Sequence, residues 1–286
     1  MLDFEMLTQP FMIHAWVSGT IVAVLAAIIG FFVVVRSSSF VAHALPEAGF
    51  AGGAGAVLIS ANPIFGLAVF AVGGALLIGT LGRKERGDVV TALTLITALG
   101  TGALFLGLTN KYAAGAYALL FGQIVGVSDD QVVSTAVLGA ACLLCLAVLY
   151  RPLLLVSVSR EIAQARGIPV RFVELTFLIV VGLSTSVIVP VVGALLCFSL
   201  LIGPSAASIY LTSNPAKAML LALLFSLVDM WLSVVLAYLS GWPIGFFVSM
   251  IGVLLYAVAR SIHFVKSRNS KSGSADNPAL KKTAIT

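Results

Sequence analysis

The chain has 286 residues, of which 60% are hydrophobic and only 9% charged, with a mean hydropathy of +1.13. Soluble domains carry about 25% charged residues, so the charge needed to cover a water-facing surface is missing, and a soluble domain with one anchor is excluded. The net charge of +5 comes from clustered basic residues, a pattern of membrane topology and not of nucleic-acid binding.

Apolar runs of about 20 residues, the length that crosses a bilayer, recur from end to end, so the fold class is an all-α polytopic membrane protein. The first ten residues hold two acids and no Lys or Arg, and therefore lack the basic region of a signal peptide. The spans expected in order are Met12–Val35, closed by Arg36 and three serines, then Val41–Ser60 and, after the Asn62-Pro63 turn signal, Ile64–Leu81. The charged run Arg83–Asp88 precedes Val89–Leu108. Tyr112–Val127 is short and glycine-punctuated, which suits an interfacial or re-entrant piece. Asp129 and Asp130 favour the start of a helix, and the next span is Gln131–Tyr150.

Arg151–Arg171 is the longest polar interruption in the middle of the chain, with Gly167 and Pro169 as breakers. Phe172–Val189 and Val191–Tyr210 follow, divided by Pro190, and a short loop holds Ser213, Asn214 and Pro215. Ala218–Leu239 and Trp242–Ala259 complete eight or nine spans, the count depending on the short pieces. Residues 1–262 form one transmembrane domain, and the Ser-, Lys- and Arg-rich stretch 263–286 is expected as a disordered basic tail. Nine alternating spans with the N-terminus outside and the C-terminus in the cytoplasm put all but Lys111 of the 16 basic residues inside.

The chemistry concentrates in Val41–Gly55, V-A-H-A-L-P-E-A-G-F-A-G-G-A-G. His43 and Glu47, four residues apart, share one helical face. Pro46 removes a backbone donor beside them, and Gly49 and Gly53 form a G-x-x-x-G pattern that lets helices pack closely. Ionisable groups at membrane depth face a cavity or a partner, and imidazole nitrogen with carboxylate oxygen is a ligand set for zinc, manganese or iron. His43 lies about 10 Å of helix rise beyond Arg36, in the inner half of the membrane. Asp229 is the other carboxylate well inside a span; a place on a pathway and a hydrogen-bonding role in the bundle are both open for it. Glu174 lies near the start of its span, within reach of the interface. Cys142, Cys145 and Cys197 read as small buried apolar residues, and His14 and His263 as interfacial.

No G-x-x-x-x-G-K-[ST] loop is present, so ATP hydrolysis by a P-loop would need a separate polypeptide, and the chain reads as a transport subunit and not an enzyme. No H-E-x-x-H occurs either, which counts against an intramembrane metalloprotease. An ion-coupled secondary transporter with a buried His/Glu site is the alternative, though no inverted repeat is evident.

Four segments carry a resemblance. Arg36–Gly55 is similar to an R-x-x-x-x-x-G-D-A-[LI]-S-H-A stretch, and Leu120-Phe121-Gly122-Gln123-Ile124 to L-F-G-x-[IL]. Ser159-Arg160-Glu161 with Gly167-Ile168-Pro169-Val170 is similar to D-x-E-x-A-x-x-x-G-[LI]-P-V, and Val191–Leu196 with Pro204-Ser205-Ala206-Ala207 to V-V-G-A-L-L … P-A-A-x. Together, in this order, they resemble the permease subunits of bacterial zinc, manganese or iron ABC importers. Where that family has Asp and then His, this chain has His43 and then Glu47, with Pro46 in place of Ser. The resemblance implies a type II importer-like permease in the inner membrane that works as two copies around one pathway, with a transported divalent metal and no permanently bound cofactor. It also implies two cytoplasmic ATP-binding subunits and an external metal-binding protein delivering to the outer face. The expected ATPase docking segment is Gly203–Lys217, with Gly203, Pro204, Ser205, Ser208, Ser213, Asn214 and Lys217, and Arg151–Arg171 is second.

Overall fold

The computed structural model describes residues 9–82, 87–109, 114–122 and 128–275 of the chain. Its order is α1 (Pro10–Val35), α2 (Ser39–Leu58), α3 (Pro63–Leu81), α4 (Gly87–Leu108), α5 (Ala114–Phe121), α6 (Asp129–Val158), α7 (Arg160–Ala165), α8 (Val170–Val192), α9 (Ala194–Leu211), α10 (Pro215–Ser240) and α11 (Ile244–Ala275). Eight of these helices are long and apolar enough to cross a membrane, and the protein is a multi-pass membrane protein. The eight omit α2, which is long enough at 20 residues but diluted by His43, Pro46, Glu47 and its glycines. It is enclosed by other helices instead of lipid.

Helix starts are set by local polar chemistry. The Asn62 side chain accepts from the Ile64 N–H at 3.0 Å, with Pro63 opening α3, and Asn214 with Pro215 does the same for α10. Ser128 and Gln131 form a reciprocal capping box at the start of α6. Each such cap is worth about 1 kcal/mol.

Several expected boundaries move. Pro46 does not break α2, and Pro152, Pro190 and Pro204 also sit inside helices; packed neighbours hold the turn that each missing N–H weakens. The span expected to end at Tyr150 continues as α6 to Val158, so the polar interruption is shorter than Arg151–Arg171. The break after α8 falls at Gly193 and not at Pro190. The last helix runs on to Ala275, past the start expected for a disordered tail at His263. No proline or glycine lies between His263 and Gly273, and the His263 ring bonds the Tyr210 carbonyl at 3.1 Å. The Arg83–Arg86 cluster, Lys111 and residues 276–286 lie outside the described residues.

Two helix groups meet at α8. In one, α1 packs against α6, α8, α9 and α10. Phe32 lies at the centre of an aromatic set, with ring centroids 5.3 Å from Phe31, 6.0 Å from Tyr150 and 6.2 Å from Phe177. Serines tie this group to α1, since lipid tails offer no competing apolar drive. Ser226 Oγ donates to Ala23 O at 2.9 Å and Ser205 Oγ to Ala27 O at 3.4 Å. In the other group α2 is surrounded by α3, α4, α8 and α9, with α5 over one end. The closest crossing of α2 and α3 is Gly52 against Gly66, where a Cβ on either would run into the other's carbonyl oxygen. Gly49 also faces α3, where an added Cβ would lie 3.4 Å from Leu67 Cδ2, and a Cβ on Gly53 would lie 3.1 Å from Leu119 Cδ1 of α5.

Two of the sequence segments singled out above touch each other. Gly122 (φ +81°) and Gly193 (φ +96°) lie backbone to backbone, and a Cβ on Gly193 would fall 2.6 Å from the Phe121 carbonyl carbon. Only glycine fits there, for want of space and because left-handed φ costs other residues about 1–2 kcal/mol. Gly167 shares the positive φ (+74°) but has open space around it. Gly193→Ala is therefore expected to lower the melting temperature of the purified chain clearly more than Gly167→Ala, whose cost is the conformational ~1 kcal/mol alone. Thermal unfolding of both variants in detergent checks this, and equal losses would remove the steric argument.

Candidate functional site

The site is built on α2, which is bounded by two similar reversals. At its start, the Ser37 N–H bonds Val34 O at 3.1 Å and the Ser38 N–H bonds Val33 O at 2.9 Å. At its end, the Ser60 N–H bonds Val57 O at 3.1 Å and the Ala61 N–H bonds Ala56 O at 2.8 Å. Both are Schellman turns, and both place a serine where glycine is usual: Ser37 at φ 53° and Ser60 at φ 58°.

Between these turns, residues 44–54 are buried without a break. Glu47 is 1% exposed, and neither Oε1 nor Oε2 has a hydrogen-bond partner. One turn earlier, His43 Nδ1 is equally buried and unpartnered, while its ring meets Phe198 of α9 edge-on at 5.2 Å. The pair thus shares a face, as the spacing predicts, but the two side chains do not satisfy each other. A buried carboxylate left unpaired costs several kcal/mol, so the arrangement is stable only with the carboxyl protonated or with a cation beside it. One imidazole and one carboxylate offer up to three donor atoms to a cation. Among the described residues no group of three or more His, Cys, Asp and Glu comes together, so this chain supplies only part of a metal's usual ligand set. Cys197 of α9, read from the sequence as a small buried apolar residue, is fully buried in the apolar core.

Beyond Glu47, Phe50, Leu67, Leu119, Val189 and Ala194 form a separate apolar cluster. It closes the pair off from the end of α2 that carries Ser60. This layer draws on α2, α3, α5, α8 and α9 at once, which no single stretch of sequence discloses.

Asp229 belongs elsewhere, in α10. It is fully buried; Oδ1 accepts from Ser233 Oγ at 3.4 Å, and Oδ2 has no partner and faces Gly252 of α11. The structure gives no contact between it and His43 or Glu47. The segment expected to dock an ATPase is mostly not a loop. Gly203–Leu211 is the last part of α9, and Pro204, Ser205 and Ser208 are buried in it; Ser205 and Ser208 bond backbone carbonyls, Ser205 that of α1. Gly203 packs on Gly252. Only Ser213, Asn214 and Lys217 of the expected set are exposed. Ser and Pro in an apolar stretch give the same signal whether they face water or a neighbouring helix.

A second polar cluster surrounds Glu174 in the first turns of α8. Its Oε1 accepts from Arg36 Nη2 at 3.2 Å and its Oε2 from Arg160 Nη2 at 2.8 Å. Arg36 also lies over the Phe177 ring at 5.6 Å. Burial pulls the Arg36 guanidinium below its ordinary pKa, and the Glu174 charge opposes that pull. At the other end of the bundle His14 Nε2 pairs with Asp129 at 2.8 Å.

The model of the family described as the ABC 3 transport family matches residues 8–263. The chain belongs to that family. Among its relatives is the manganese transport system membrane protein MntC of Listeria innocua, 25% identical over 262 residues, covering 91% of this chain and 93% of the relative. The manganese import system permease protein ScaB of Streptococcus parasanguinis is 27% identical over 213 residues, 74% of this chain and 75% of the relative. The high-affinity zinc uptake system membrane protein ZnuB of Buchnera aphidicola is 23% identical over 217 residues, 75% and 83%. The fold is that of PsaBC from Streptococcus pneumoniae, solved in complex with Fab (TM-score 0.80, 22% identity, 88% of this chain and 91% of that one). An inward-facing, putative metal-chelate type ABC transporter is similar at a TM-score of 0.69, with 18% identity and coverage of 87% and 85%.

If the unpaired carboxylate is the costly feature of α2, Glu47→Gln raises the thermal stability of the metal-free ABC 3 chain. A gain of about 1 kcal/mol would move the midpoint by roughly 2–4 °C. A drop in melting temperature, measured in chelator-treated detergent solution, would mean that the carboxylate has a partner within the fold.

Proposed function

We propose that this chain is the permease subunit of an ATP-binding-cassette importer that carries a divalent transition metal into the bacterial cytoplasm, with manganese favoured over zinc or iron. The observation that carries the reading is the set of unpartnered donors on α2, Glu47 Oε1 and Oε2 with His43 Nδ1, enclosed at membrane depth. The metal is cargo and not a resident cofactor. Carboxylate oxygen suits manganese and imidazole suits zinc; the deeper, fully buried member of the pair is the carboxylate. Two of the three relatives named above carry manganese in their names and one carries zinc. Three donors leave a metal under-coordinated, which favours two permease copies that bring two such helices to one pathway. Asp229 has a weaker claim on the pathway, through its unpartnered Oδ2 beside Gly252.

Energy comes from separate ATP-binding subunits on the cytoplasmic side, which is the side of Arg36, Arg160 and Arg171 by the positive-inside rule. This orientation leaves the N-terminus outside and the C-terminus inside. The docking surface is α7 and its C-terminal turn, through the exposed Gln164 and Arg166, together with the exposed Ser213–Lys217 turn. An external metal-binding protein delivers to the opposite end, where a polar cavity of about 400 Å³ is lined by Ser60, Asn62, Ser128, Asp130 and Gln131.

Uptake of manganese by vesicles containing the assembled importer is expected to fall tenfold or more in His43→Ala and in Glu47→Ala, since even outer partners of a metal ligand are worth 10–100-fold. Normal uptake by both variants at normal abundance would sink the site. Cysteines at Arg166 and Ser213 are expected to crosslink to the ATP-binding subunit and one at Ser208 to fail. Crosslinking through Ser208 alone would move the docking surface back to α9.

A further inference from the structure

The Glu174 cluster is not used by the metal pair and joins three elements that the importer reading gives different tasks. We propose that Glu174 is a positioning residue that transmits displacement of α7, the ATPase-facing helix, to the turn from which α2 and its His43/Glu47 pair are suspended. The inference rests on the importer reading.

The geometry is a single carboxylate with its two oxygens divided between two helices. Oε2 holds Arg160, the first residue of α7, at 2.8 Å, and Oε1 holds Arg36, the last residue before the α1–α2 reversal, at 3.2 Å. Arg160 is half-exposed, whereas Arg36 and Glu174 keep only 13% and 21% of their side-chain surface. One end of the relay is therefore accessible and the other is set into the bundle, where the Arg36 guanidinium lies over the Phe177 ring at 5.6 Å. An ion pair shielded in this way resists separation more than a surface pair, because each charge left behind is poorly solvated. Movement of Arg160 consequently draws Glu174, and Glu174 draws Arg36.

The receiving end can respond. Immediately after Arg36 comes Ser37 in the left-handed region (φ 53°), a conformation that costs a residue with a Cβ roughly 1–2 kcal/mol. The turn is thus a shallow point in the backbone, where a modest pull changes the preferred conformation. Beside it is a cavity of about 430 Å³, lined by Arg36, Ser38, Val41, Gly82, Asp88 and Glu174 among others, which gives the turn space to move. His43 is one helical turn beyond the start of α2 at Ser39, so a shift at the turn displaces the imidazole directly. By contrast, α7 ends in its own Schellman turn, with the Gly167 N–H on Gln164 O at 2.9 Å and the Ile168 N–H on Ala163 O at 3.0 Å. Its anchor to α6 is short, and Ala163 is its one buried side chain. The helix is built to move as a unit, with Arg160 as its tether.

The test separates coupling from assembly. The permease, its ATP-binding subunit and its binding protein are reconstituted in proteoliposomes, and ATP hydrolysis and manganese uptake are measured together for the wild type, Glu174→Gln and Arg160→Met. The expected result is ATP hydrolysis within about twofold of wild type and uptake per ATP reduced about tenfold in both variants, the size of one coupling interaction. The double variant is expected to be no worse than either alone, because both remove the same link. Arg160→Met alters a half-exposed side chain and so remains informative should Glu174→Gln fold poorly. Normal uptake per ATP in Arg160→Met would overturn the relay, as would losses of hydrolysis and uptake in equal proportion, which would mark a docking role. Absence of ATP-driven uptake by the wild type would overturn the importer reading itself, before any variant is compared.

Discussion

An unpaired carboxylate enclosed in a membrane protein is the constraint from which the other features of this chain follow. Glu47 is 1% exposed with both oxygens unpartnered, in surroundings where water cannot compensate it. Such a residue can be kept off lipid only if protein surrounds it on every side. That requirement explains why α2 is the most enclosed helix of its group, and why, among the described residues, it is the one long helix whose composition would not hold it in a bilayer by itself.

Enclosing a helix so completely demands close approach. Glycine and alanine occupy most of the positions of α2 between Ala48 and Ala56, letting α3 come near enough for Gly52 and Gly66 to meet backbone to backbone. The same economy of side chain recurs at Gly122 and Gly193, where α5 is laid over the α8–α9 break. These contacts place the apolar layer of Phe50, Leu67, Leu119, Val189 and Ala194 above the pair. Small residues thus do for this site what a large core does in a soluble domain: they exclude solvent by removing the space for it.

The basic end of the bundle is governed by a different economy. Two of its arginines, Arg36 and Arg160, are organised by one carboxylate, Glu174, instead of being scattered. Arg36 serves twice, as the charge that ends α1 and as a partner of α8, which links the turn before α2 to the helix that divides the two groups of the bundle.

Much of this was open to reading in the chain alone. The spans, the basic clusters between them, and His43 and Glu47 on one helical face all follow from hydropathy, charge and the 3.6-residue period, which are local properties. The carboxylate of Glu174 near an interface was legible too, though neither of its arginine partners was. What tertiary structure decided is which apolar surface faces protein and which faces lipid. Lipid tails are as apolar as leucine, so a sequence pattern that separates core from water in a soluble domain carries no such signal here. For that reason Ser205 and Ser208, legible as polar residues near a loop, proved to bond backbone carbonyls inside the bundle. For the same reason α2, legible as one more span, proved to be wrapped by its neighbours. The chain by itself determined where polar atoms sit along each helix; only the packing of the helices decided which of them are left without a partner.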